Sequence, residues 1–281
     1  MFSFPIGVIL ESFKLPVSQA IWAAARLGVQ GIQVYATRGE LSPENLTVSK
    51  RIEFLDMVES HGLTISALCG DLGQGFGDRE KNPLLIEKSK RILELAREMG
   101  TDIVTTHIGV IPEDRKHERY KVMQEACYEL ASYADSLNAH FAVETGPEIA
   151  TVLKEFLNSL GSRGVAVNMD PANFVMVTGD DPVQAVYTLG DYIVHTHAKD
   201  GRKLRDKDPE LSYRITEEKI KTGKAFKELP LGEGNVDFEK YLRALDDIGY
   251  RGFLTIEREV GEDPYEDIAV AVRFLRSYLT R

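Results

Sequence analysis

Cysteine is scarce in this sequence: Cys69 and Cys127 are the two among 281 residues. With neither a CxxC spacing nor a partner motif, they speak against a disulfide framework and for a reduced compartment, so the cytoplasm is the expected location. Positive charge is also in deficit, 34 Lys and Arg against 44 Asp and Glu, for a formal net charge of -10. Nucleic-acid binding draws its affinity from clustered Lys and Arg, so no nucleic-acid partner is expected. Long apolar runs are missing too: none approaches the roughly 20 residues needed to span a bilayer. The opening MFSFPIGVILESFK lacks a basic leader followed by a long apolar segment, so a soluble, unprocessed chain with no membrane partner is expected. A homo-oligomer is possible.

What is present is rhythm. Short apolar or β-branched runs bounded by Gly, Asp or Asn occur eight times: IGVIL (6–10), GIQVYA (31–36), TISALCG (64–70), DIVTTHIG (102–109), HFAVETG (140–146), VAVNMD (165–170), YIVHTHAKD (192–200) and GFLTIERE (252–259). Segments of helical period separate them, such as VSQAIWAAARLG and YKVMQEACYELASYADSLN. The length lies close to the roughly 250 residues of one large α/β barrel. The expected fold is therefore α/β, a single (β/α)8 TIM barrel over residues 1–281, with an open doubly wound sheet as the alternative. One connection is longer than the rest: residues 201–235, charged and poor in large apolar residues, form an insertion after strand seven. Its place beside the face where barrel enzymes keep their active sites predicts a lid or substrate-contacting loop.

The strand ends carry the chemistry. Strand four ends at His107, strand five at Glu144, strand six at Asp170 with Asn173 just beyond, strand seven at His195 and His197, and strand eight at Glu257 followed by Glu259. Each has an ordinary explanation alone: Glu144 as a turn cap, Asp170 as the start of an Asp-Pro turn, Glu257 as a partner of Arg258, a histidine as a hydrogen-bonded core residue. Together, several carboxylates at one buried mouth would cost several kcal/mol per charge without a cation. Three carboxylates and an imidazole suit a divalent ion, Mn²⁺ first, with Co²⁺, Mg²⁺ or Zn²⁺ as alternatives. The Gly-rich stretch GDLGQGFGD (70–78) lacks a Walker-type Lys and the GxGxxG spacing, so a mobile mouth loop is expected there rather than a phosphate cradle. Trp22 reads as helix-face packing, Tyr35 and Phe174 as apolar walls near the mouth, and Lys199 as a partner of Asp200.

The ordered series Glu144 in VETGP, Asp170 in NMDPANF, His197 in HTHAKD, then LGEGNVDF and Glu257 in TIERE resembles the sugar phosphate isomerase/epimerase group of the xylose isomerase-like barrel superfamily, over essentially the whole chain. The resemblance implies a metal held by Glu144, Asp170, His197 and Glu257, and Glu144 and Glu257 as the proton-transferring pair of a ketose 3-epimerase. Some of those epimerases contact substrate through a His three residues after the Asp and an Arg shortly after the metal His; here these places are held by Asn173 and by Arg202 or Lys203. His107, Asn173, His195, Lys199 and Arg202 are the expected substrate-binding residues. The expected partner is a small sugar or sugar phosphate, and the expected reaction is epimerisation or isomerisation through an enediolate. An inosose-type dehydratase is the alternative; an abasic-site endonuclease-like hydrolase, or a barrel that binds sugar without turnover, ranks below it.

Overall fold

Apolar runs covered on both faces belong in a parallel sheet. In the computed structural model, which describes residues 1–212 and 224–280, all eight expected runs are strands. They are β1 (Ile6–Ile9), β2 (Gly31–Tyr35), β3 (Thr64–Cys69), β4 (Ile103–Thr106), β5 (His140–Glu144), β6 (Val165–Met169), β7 (Ile193–Ala198) and, after an intervening pair, β10 (Leu254–Ile256). All pair in parallel in the order β1-β10-β7-β6-β5-β4-β3-β2 and close on themselves as a (β/α)8 TIM barrel.

The outer ring is made by α1 (Val17–Leu27), α2 (Val48–Ser60), α3 (Asn82–Glu98), α4 (Glu118–Ser136), α5 (Ala150–Leu160), α7 (Pro182–Leu189), α9 (Phe238–Asp247) and α10 (Pro264–Arg276). Two shorter helical pieces, α6 (Pro171–Asn173) and α8 (Pro209–Ser212), sit on connections. Asp side chains start several of these helices by accepting from an exposed N–H of the first turn: Asp181 from Val183, Asp237 from Lys240 and Asp263 from Glu266. Trp22 corrects an expectation. The inward stripe of α1 is Ala20, Ile21, Ala23 and Ala24, too close to the barrel for an indole, so Trp22 stands outward at 51% exposure beneath the Arg26 guanidinium. No helix among the described residues is long and apolar enough to cross a membrane.

The described parts of the 201–235 connection include a hairpin. Strand β8 (Asp200–Lys203) pairs antiparallel with β9 (Phe226–Leu229), from Asp200↔Leu229 to Lys203↔Phe226. Residues 213–223 of the expected lid lie outside the described residues. The hairpin escaped a reading for apolar runs because DGRK and FKEL are mostly polar.

Asp200 anchors this segment. Its Oδ1 accepts from the N–H groups of Gly201 (2.8 Å) and Val236 (3.1 Å), and its Oδ2 from those of Gly232 and Gly234 (2.9 Å each). The LGEGNV stretch thus wraps one buried carboxylate. A Cβ at Gly234 would come within 2.0 Å of Asp200 Oδ1, which is why glycine is needed there. Removing the carboxylate strands four N–H groups, so Asp200→Ala should lose about 3 kcal/mol of stability. Chemical denaturation measures that loss, and faster amide exchange at 231–236 should accompany it.

Candidate metal centre

Glu144 is the last residue of β5, Asp170 follows β6, His197 is the penultimate residue of β7 and Glu257 follows β10. Barrel strand ends converge on one mouth. One ligand atom from each of these four residues lies within 4.8 Å of the other three. His197 Nδ1 is 3.2 Å from Glu257 Oε2, 3.6 Å from Glu144 Oε2 and 3.7 Å from Asp170 Oδ2. Asp170 does cap the turn after it, since Oδ1 accepts from the Asn173 N–H at 2.9 Å. Its Oδ2, however, is buried with no hydrogen-bond partner. An orphaned carboxylate oxygen facing an imidazole and two further carboxylates fits a cation. Oxygen donors with one imidazole and no thiolate suit Mn²⁺, Mg²⁺, Co²⁺ or Zn²⁺.

Polar residues inside the barrel hold these side chains. His197 Nε2 lies 3.1 Å from Gln33 Oε1, an acceptor that takes the Nε2–H and leaves Nδ1 for the carboxylate side. Gln33 Nε2 donates to Thr105 Oγ1 at 3.1 Å, which fixes the orientation of the amide. Asn168 stands opposite Glu144 in the β5–β6 register, and its Nδ2 lies 3.4 Å from Glu144 Oε2 and 3.2 Å from His197 Nε2. Asn173 Nδ2 donates to Glu144 Oε1 at 2.9 Å and to the Thr145 carbonyl at 3.2 Å. Gln33 and Asn168 were missed as site residues. Their signal was a polar side chain inside the apolar runs GIQVYA and VAVNMD, where an amide is retained only if its hydrogen bonds are met.

Charge is distributed unevenly over the four. Burial disfavours the His197 cation, but the carboxylates of Glu144 and Glu257 outweigh it and hold the imidazole well above its usual range. Burial also pushes Asp170 up, and Glu144 and Glu257 push it further. Against the same burial, Lys199 and His197 hold Glu257 well below the ordinary carboxylate range, and His107 and His197 lower Glu144. Lys199 does not pair with Asp200, whose carboxylate is occupied by the 232–236 loop. Its Nζ lies 3.0 Å from Glu257 Oε2 and 2.8 Å from Glu259 Oε2. Arg258 instead pairs with Glu228 at 2.6 Å, so the ordinary Glu257–Arg258 pairing does not form.

The residues expected to bind substrate fall into two groups. His107, Asn173 and Lys199 border a cavity of about 270 Å³ together with Glu144 and Glu257. His107 also bridges outward, with Nδ1 3.1 Å from Asp71 Oδ2 and Nε2 3.7 Å from Glu144 Oε1. Burial opposes its charge, yet Glu144 and Asp71 raise its pKa to about 9. The other two stand away from the mouth. His195 is 1% exposed, packs edge-on at 5.9 Å beside His197 and reaches Gln33 Oε1 at 3.0 Å, so it braces the barrel interior. Arg202 is exposed on β8. Tyr35 lines the innermost cavity, of about 130 Å³. Phe174 is wholly buried, and the apolar wall of the 270 Å³ cavity is formed by Met176, Val177 and Phe226.

A family model for the xylose isomerase-like TIM barrel matches residues 21–278. The chain belongs to that family. A putative L-ribulose-5-phosphate 3-epimerase of Haemophilus influenzae is 27% identical over 248 residues, 84% of this chain and 81% of the relative. Among solved structures, a xylose isomerase domain protein from Planctomyces limnophilus is 26% identical with a TM-score of 0.79, covering 98% of this chain and 96% of that one. The D-psicose 3-epimerase of Clostridium cellulolyticum H10, solved with D-tagatose, shares the fold at 15% identity and a TM-score of 0.74, covering 99% of this chain and all of that one. The relative at 27% identity is thus one named as a putative epimerase.

An ion entering the cluster must displace the proton that the carboxylates hold on His197. Titration with Mn²⁺ near pH 7 should therefore release about one proton or more per ion, and affinity should weaken as pH falls. Calorimetry in buffers of differing ionisation enthalpy reads both. Gln33→Ala should weaken the ion by roughly 10- to 100-fold by freeing the His197 ring.

Proposed function

We propose that the chain is a divalent-metal-dependent epimerase of a ketose or ketose phosphate, with Mn²⁺ as the expected ion and Glu144 and Glu257 as the proton-transferring pair. One observation carries the reading: Glu144 and Glu257 belong to the four-residue cluster and also border both inner cavities, of about 270 and 130 Å³. A cation held by Glu144, Asp170, His197 and Glu257 would draw electron density from a substrate carbonyl and so acidify the neighbouring C–H.

The chain's own groups then divide the work. Lys199 Nζ keeps the Glu257 carboxylate ionised and ready to accept a carbon-bound proton. The Asn173 amide fixes Glu144 Oε1, so that the other oxygen, Oε2, turns toward the cluster. The two carboxylates come from strand ends separated by those of β6 and β7. Two bases so separated can take a proton from one face of a planar intermediate and return one to the other, which is inversion at a single carbon. His107, held between Asp71 and Glu144, borders the 270 Å³ cavity and would meet substrate oxygens through Nε2, whose contact with Glu144 is the longer of the two. The similarity to a putative 3-epimerase supports this reading.

Glu→Gln at position 144 or 257 keeps an oxygen donor and the side-chain shape while removing the base. Metal affinity should fall moderately, whereas turnover should fall by roughly 10² to 10⁴. With a purified epimer pair in D₂O, each variant should still exchange the carbon-bound proton of the epimer that faces its surviving glutamate, and neither should convert one epimer into the other. A metal-loaded variant that interconverts epimers near the parent rate would rule out the two-carboxylate pathway.

A further inference from the structure

The Glu259 carboxylate stands where three cavities meet. It borders the inner cavities of about 130 and 270 Å³ and also an outer one of about 750 Å³ roofed by the 71–78 loop. Its side chain is 63% exposed and reaches Lys199 Nζ at 2.8 Å, while its backbone N–H donates to Glu228 Oε1 at 3.3 Å. Glu259 and His107 border all three cavities, so a ketose reaching from between Glu144 and Glu257 into the outer cavity would lie beside both.

The surroundings are poorly suited to a phosphate. Among the described residues, every cation bordering these cavities already faces a carboxylate. Lys81 faces Asp78 at 3.5 Å, Arg119 faces Glu210, Lys199 faces Glu257 and Glu259, and His107 faces Asp71 and Glu144. His197 faces the three carboxylates of the cluster. In the 71–78 loop two of the N–H groups are already engaged. The Gly73 N–H donates to Asp71 Oδ1 at 2.8 Å, and the Phe76 N–H to the Ile108 carbonyl at 2.8 Å. Among the described residues, a phosphate here would meet no cation that lacks a carboxylate partner, and it would lie beside Asp71, Glu228 and Glu259. Sugar hydroxyls can donate to those same carboxylates.

We propose that the substrate is an unphosphorylated ketose and that Glu259 selects it, accepting hydrogen bonds from the distal hydroxyls and repelling a terminal phosphate. The reaction assumed here rests on the epimerase reading; the order of binding does not.

The test uses the whole Mn²⁺-loaded protein with ketopentoses and ketohexoses, each supplied free and as its terminal phosphate. Affinity is read by calorimetry and enolisation by solvent deuterium uptake. The free sugar should bind more tightly and show a kcat/KM higher by about tenfold or more, and Glu259→Lys should shift the ratio toward the phosphate by a similar factor. Glu259→Gln should shift it less. Tighter binding or faster exchange of the phosphate by the parent protein overturns the proposal, as does a ratio unmoved by Glu259→Lys, or no binding of either form. If the free sugar binds preferentially but no deuterium enters, the epimerase reading falls and the selectivity stands. If deuterium enters the phosphate faster, the selectivity falls and the epimerase reading stands.

Discussion

Three carboxylates and an imidazole meeting at the end of a closed barrel set the terms for everything around them. Like charges this close disfavour one another, and burial deepens the conflict because neither water nor distance relieves it. Two responses are visible. The carboxylates raise the His197 imidazole well above its usual range, and Lys199 is drawn in as a buried counter-charge between Glu257 and Glu259. Asp170 Oδ2 still lacks a hydrogen bond, so the protein's own groups leave the conflict incompletely met.

The same constraint reaches down into the barrel. Barrel interiors are usually layered with branched apolar side chains. Here Gln33, Thr105, Asn168 and His195 take such places, all buried; Gln33 joins Thr105 and His195 by hydrogen bonds, and Asn168 reaches Glu144 directly. An isolated buried amide is costly, whereas a connected one is directional, and direction is what a ligand set needs. Gln33 contacts both histidines of β7, which explains their alternate spacing in HTH: one faces the carboxylates and the other locks the first through a shared acceptor.

Much of this could be read before any coordinates. Strand ends are legible because buried parallel strands are continuous apolar runs, and a carboxylate or imidazole closing such a run is conspicuous; His107, Glu144, Asp170, His195, His197, Glu257 and Glu259 stood out for that reason, and the resemblance to the xylose isomerase-like barrels singled out Glu144, Asp170, His197 and Glu257 among them. Pairing within the site was not legible, because it depends on rotamers and on which neighbour is already engaged. Lys199 sits next to Asp200 in sequence yet turns to Glu257, since backbone N–H groups more than thirty residues away claim Asp200. The β8–β9 hairpin was hidden for a related reason: its strands are held by backbone bonds and by Asp200, with little apolar patterning to announce them.

The clasp at Asp200 also separates two kinds of freedom. The strand that carries His197 and the stretch returning toward α9 are tied at one point, so whatever chain length runs between positions 204 and 225 begins and ends at the same place. Loop closure entropy grows only slowly with length, so the clasp itself would tolerate an interval of different length. Lineages, or protein engineers, could lengthen, shorten or replace it to recast what the mouth admits while the chemistry beneath is inherited intact.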